Sequence, residues 1–159
     1  MSAEAFANGI RDLLDSDQAF ADGITGVIGT APQVLRGNPP IQSIAIPGGS
    51  WPCWVVEQGD GVAHAVSEAG GAFLTIGASE AQFQSDVLLA LVWKNDDREA
   101  AAVQRSRLPA LLAQLLLRNP QPGGILAAWL QDWKPDRAAL HPVQLFIATI
   151  RGIYSIEAT

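Results

Sequence analysis

Apolar residues change their spacing once, decisively, between Gln82 and Arg118. Phe83, Val87, Leu89, Leu91 and Trp93 fall on one side of an extended chain, because strand side chains alternate. Leu88, Ala90 and Val92 are apolar too, so the pattern predicts a strand from Gln82 to Lys94 whose middle is buried on both faces. Past Asn95 the period becomes helical: Leu108, Leu111, Leu112, Leu115 and Leu116 share a face, predicting a helix from Asp97 to Arg118. Asp96 or Asp97 can cap it, and Glu99 sits near the positive end of its dipole. Pro109 either kinks this helix or opens a new first turn capped by Ser106.

The remaining pattern arranges itself around that unit. Ala3, Phe6, Ala7, Ile10, Leu13 and Leu14 form one stripe of an amphipathic N-terminal helix over Ser2 to Leu14. Its polar face lacks the Lys and Arg of a membrane-surface helix. From Ser16 to Ser50 Gly and Pro punctuate the chain, and Ile24 to Ile28, Val34-Leu35 and Ile41 to Ile46 read as brief strands or edge segments. Pro52 to Gln58 predicts a strand, Gln58-Gly-Asp-Gly61 a turn, and Val62 to Glu68 the returning arm of a hairpin. Ala72 to Ile76 is a further short apolar piece, completing a meander into the central strand. Arg118-Asn-Pro-Gln-Pro-Gly-Gly124 stops the long helix. Ile125 to Lys134 has both spacings and is read as a strand, with Ala127, Trp129, Gln131 and Trp133 on one face. After a turn at Trp133 to Arg137, His141-Pro142 introduces a last strand, Val143 to Ile156, expected beside the central one. The fold class expected is α+β: a single domain spanning 1–159, with a mixed, mainly antiparallel sheet, an N-terminal helix and one long central helix packed on it.

Composition narrows the function classes. Apolar residues make up 48% of the 159 and charged ones only 16%, against about 25% in ordinary soluble domains. Such a surface is either neutral or covered by partners. The five Trp favour burial or interfaces. A net charge of −6 excludes a surface that grips nucleic acid throughout. Arg98, Arg105, Arg107 and Arg118 nevertheless cluster on the long helix, as a solvated face or a binding stripe. A single cysteine, Cys53, forms no internal disulfide, and with neither a signal peptide nor a membrane span visible the chain is expected to fold in a reducing cytoplasm. Flanked by Trp51 and Trp54, Cys53 reads as a small buried hydrophobe.

Candidate chemistry is sparse. Glu57, Asp60, His64 and Glu68 put three carboxylates and an imidazole on the expected hairpin, a conceivable metal or acid–base site, although a Gly-Asp-Gly turn accounts for Asp60 more simply. His141 lies near Asp132 and Asp136 at a strand entrance and reads as a turn histidine. The glycines at 23, 26 and 29 lack the spacing of a nucleotide loop, and no nucleophile elbow, Walker sequence or paired zinc-ligand motif occurs. No catalytic, cofactor or metal residue is therefore assigned, and the chain is read as non-enzymatic. The competing reading is a small enzyme or ligand-binding domain using Glu57, Asp60 and His64.

The order of elements supplies the role. An N-terminal helix, a loop-rich segment, a hairpin, the strand Gln82 to Lys94, the helix Asp97 to Arg118 and the closing Trp-Lys-Pro-Asp-Arg…His-Pro-x-Gln-Leu-Phe-Ile-Ala-Thr-Ile strand together resemble the tail terminator (tail completion) proteins of long-tailed bacteriophages. The resemblance is best over Gln82 to Ile156 and extends to neck and head-completion proteins of the same fold. It implies a structural virion protein, assembled in the bacterial cytoplasm, whose six copies form a ring capping the tail tube. The implied partners are further copies of itself, the tube protein and the head–tail connector, with DNA passing through without sequence-specific binding, and no membrane. Contact residues are expected at Trp129, Trp133, Asp136, Arg137, Arg105 and Arg107, with the loops at Gly23 to Gly49 and Glu68 to Glu80.

Overall fold

The computed structural model describes residues 2–35, 51–64, 80–135 and 142–157. Within them the elements are α1 (Ala3–Ser16), α2 (Gln18–Ile28), β1 (Gln33–Val34), β2 (Cys53–His64), β3 (Glu80–Lys94), α3 (Arg98–Arg118), a 3-10 turn (Pro122–Gly124), β4 (Ala127–Pro135) and β5 (Val143–Glu157). The strands form one sheet in the order β1-β2-β3-β5-β4, with only the β1–β2 pair parallel. This is the expected α+β domain with a mainly antiparallel sheet.

β3 occupies the centre because its sequence leaves no polar face in the middle. Leu91 stands between Trp54 of β2 and Phe146 of β5, and Leu89 between Val56 and Ala148. All six side chains are buried, and they meet Phe6, Ile10, Phe20, Ile24, Leu108, Leu112 and Leu115 of the helices in one core. On the opposite face Val92 lies between Cys53 and Leu145, and Ala90 between Val55 and Ile147; Leu35 and Trp51 pack there. Cys53 is fully buried, and burial raises its thiol pKa, making it a core hydrophobe rather than a nucleophile.

Asp97 caps α3, its Oδ1 accepting from the amides of Glu99 at 2.9 Å and Ala100 at 3.0 Å. The helix continues through Pro109 as one element, and Ser106 caps nothing, since its hydroxyl donates back to the Val103 carbonyl. Gly152 on β5 leaves the space into which Phe6 packs; a Cβ there would lie 2.7 Å from the Phe6 ring.

Three expectations are corrected. Ile24 to Ile28 is no strand but the end of α2, which Asp17 caps through the Phe20 amide and which buries Phe20 and Ile24 one turn apart. The Gly/Pro composition masked this helical spacing. Second, Gln58 to Gly61 does not turn back: β2 runs straight on, and between Gln58↔Val87 and Gly61↔Ser85 it carries one residue more than β3, a β-bulge. The expected hairpin arm Val62 to Glu68 thus begins as more of β2, while its last part, with Ile41 to Ile46 and Ala72 to Ile76, lies outside the described residues. Third, β4 is bulged between Leu130 and Asp132, so Trp129 pairs with Arg151 but Trp133 with Ala148. Paired residues share a face, so the two Trp residues stand on opposite faces of the sheet rather than one.

Along the first part of β2 a side chain extends the covering of the outer edge. Gln33 and Leu35 amides donate to the carbonyls of Pro52 and Trp54. Beyond the end of β1, the buried Arg11 donates through Nη2 to the next outward carbonyl, Val56, at 2.8 Å. A guanidinium thus continues the ladder where β1 stops.

Leu89 and Leu112 are both fully buried on the two sides of this packing. Leu89→Asp or Leu112→Asp strands a carboxylate there at a cost above about 4 kcal/mol, comparable to the whole stability of many domains. Circular dichroism and solubility are expected to show unfolded, aggregating protein; a soluble cooperative fold for either variant contradicts this core.

Candidate interaction surfaces

The helices cover one face of the sheet unevenly. α1 packs on β1, β2 and β3, while α3 packs on β4 and β5; α2 lies against α3. The α1–α2 flank carries Glu4, Asp12, Asp15 and Asp22, all exposed, and its one base, Arg11, is buried. Arg118 of α3 reaches the same side and pairs with Asp17 at the joint of the two helices.

Exposed apolar groups gather near the end of α3 and along the neighbouring edge strand. Arg98 and Arg107 are exposed along α3, and Leu117 near its end is 81% exposed. On the neighbouring edge strand Trp129 is 37% and Trp133 50% exposed, with Leu126 close to them in sequence. Leu117, Ala113 and Pro120 line, with Trp129 and Leu130, a shallow groove of about 320 Å³. Apolar residues occur on several sides of α3, unlike a helix with only one face to bury.

Of the contact residues expected from sequence, Trp129 and Trp133 are exposed on β4, on opposite faces of the sheet, and Arg107 is exposed on α3 near Val27 of α2. Arg105 is engaged internally: its guanidinium donates to Oε1 of the buried Gln144, whose Nε2 donates to the Asn95 carbonyl at 3.2 Å. Beside it, Gln104 Oε1 accepts from Trp93 Nε1 and Asn95 Nδ2, both at 2.8 Å, and Gln104 Nε2 donates to the Val27 carbonyl at 3.1 Å. These contacts fasten the start of α3 to β3, β5 and the end of α2. Asp136 and Arg137 lie outside the described residues, as do Glu68 and His141. No local pattern around Arg105 signals its buried amide partner, which is 39 residues away.

The carboxylate candidates do not gather on a hairpin, because the bulge keeps Glu57 and Asp60 on one continuous strand. Asp86, absent from the sequence candidates, forms a bidentate pair with its cross-strand partner Arg151, at 2.7 and 2.8 Å. Among the described residues no group of three His, Cys, Asp or Glu side chains is placed to hold a metal, and no helix is long and apolar enough to cross a membrane.

A chain of a solved virion shares this fold. It belongs to the virion of the native gene transfer agent (GTA) particle, aligns over 97% of both chains with a TM-score of 0.54, and is 14% identical in sequence. No protein-family profile matches the sequence, and no curated protein does. The likeness thus lies in the path of the backbone, with side chains almost wholly replaced.

One carboxylate ties the α1–α2 joint to the end of α3. Asp17, between α1 and α2, accepts from Arg118 Nη2 at 2.8 Å and Asn119 Nδ2 at 2.9 Å at the end of α3, as well as from the Phe20 amide. The hydrogen bond from Arg118 leads in lowering its pKa from 3.8 to about 2. A depressed folded pKa stabilises above the unfolded value and is lost as pH falls from near 3.8 through about 2. Since the Arg118 side chain is 41% exposed, solvent screening reduces the effect to about 1 kcal/mol. Asp17→Asn keeps a capping oxygen but loses the charge, so urea titrations are expected to show that deficit at pH 7 and its disappearance near pH 2. A deficit unchanged across that range contradicts the ion pair's part.

Proposed function

We propose that this chain is a structural virion protein of the tail terminator kind: six copies form a ring that caps the tail tube, stops its polymerisation and meets the head connector. The observation that carries the reading is the fold likeness, end to end, to a chain of the gene transfer agent virion. Its part in that particle is as a piece of the virion, and a structural part is what passes to this chain in the proposal.

The surface chemistry supports it. A low charge fraction with exposed Trp129, Trp133 and Leu117 suits a protein that hides surface in an assembly. The net charge of −6 suits a passage for DNA, since phosphates are not retained without clustered bases. The competing enzyme reading loses its scaffold, because the hairpin meant to gather Glu57, Asp60 and His64 is a single bulged strand.

The test is a length assay. Tube protein from the same genome, polymerised alone and with this chain, should give open-ended rods in the first case and shorter rods with density at one end in the second. Rods of unchanged length with no bound chain overturn the proposal.

A further inference from the structure

We infer that the outer face of α3 is the seat for an amphipathic helix of another protein, one that carries a carboxylate where it crosses Arg107. This goes beyond the virion reading and does not rest on it. Val103, Ala110 and Leu117 recur every seven residues, so they share one face of α3, turned away from the buried Leu108, Leu112 and Leu115. All three are exposed, Val103 by 52% and Leu117 by 81%. The ridge they form is about 21 Å long, with a groove at each end. At the first end, Val27 of α2 lines about 290 Å³ together with Ala100, Val103 and Arg107. At the second, Leu117 borders the groove of about 320 Å³ that it shares with Pro120 and Trp129. A helix laid along this ridge at a shallow angle fills both grooves with side chains about four turns apart, the way an apolar helix face docks into a groove.

Charge selects the occupant. Between Ala100 and Leu117 α3 has no Asp or Glu. Its Arg105 donates inward to Gln144, and Arg118 beyond is paired with Asp17. Arg107 is exposed at the first groove and makes no ion pair among the described residues. A carboxylate is the group complementary to it. The described helices of this chain do not supply that partner. Large exposed apolar side chains on them are confined to α3, because α1 turns Phe6, Ile10 and Leu14, and α2 turns Phe20 and Ile24, into the core. Two copies of α3 laid face to face would bring arginines together with no acid on either ridge, which disfavours self-pairing.

Two helical peptides of about 20 residues test the seat in fluorescence anisotropy titrations with the whole chain. Both carry Leu at alternating spacings of three and four, and they differ only in having Glu or Lys beside that seam near its middle. The Glu peptide is expected to bind saturably and about fivefold more tightly than the Lys peptide. Arg107→Glu should reverse that preference, and Leu117→Glu should lose both peptides. Both positions are exposed, so circular dichroism and thermal melting of the variants should match the unaltered chain. No saturable binding, equal affinity for the two peptides, or a preference unmoved by Arg107→Glu overturns the inference. So does sedimentation velocity in which the unaltered chain associates and Leu117→Glu abolishes the association, since the seat then holds a second copy. Neither peptide needs tube or particle, so this outcome stands apart from that of the length assay.

Discussion

The structure depends on β3 being paired along both edges while buried on both faces. Its fifteen residues match β5 position for position, from Glu80↔Glu157 to Lys94↔Val143. On the other edge β2 follows from Cys53↔Val92 to His64↔Gln82, with one bulge. A one-residue slip against β5 would exchange the helix-covered Leu89 and Leu91 with Ala90 and Val92 on the other face, so the difference in side-chain size on the two faces fixes the register. Everything else is hung from that ladder, including the helix that leaves its end.

The joint at Asn95 to Asp97 turns strand order into helix position. Asn95 Oδ1 accepts from the Asp97 amide, and Asp97 Oδ1 caps α3. Gln104 and Gln144 then tie the first turns of α3 to the ends of β3, β5 and α2, while Asp17 ties its last turn to the α1–α2 joint. A helix held at both ends presents its outer face rigidly. Leu117 is thereby set beside Trp129 of the neighbouring edge strand, with which it lines one groove.

What could be read from the sequence follows from which forces are local. Periodicity placed β3, α3, β5 and the N-terminal helix, because each buries a face whose spacing is written in consecutive residues. It also favoured a strand over a helix for Ile125 to Lys134, and β4 is one. α2 was missed because Gly23 and Gly26 masked a legible signal, Asp17 followed by Phe20 and Ile24 at cap and core spacing. The bulges at Gln58 to Gly61 and at Gln131 were not legible, since Gly-Asp-Gly permits a turn and a bulge equally and the partner strand decides. For the same reason local spacing sets Trp129 and Trp133 on one face where the bulge parts them, and Arg105 reads as a surface group although Gln144, distant in sequence, accepts from it.

The central claim is the one proposed above, that this chain is a structural piece of a virion. Electron cryomicroscopy of intact particles from the source of this sequence tests it most directly. The account predicts a ring of this chain where tail tube meets head. Particles that lack the chain, or that hold it anywhere but at that junction, would contradict it.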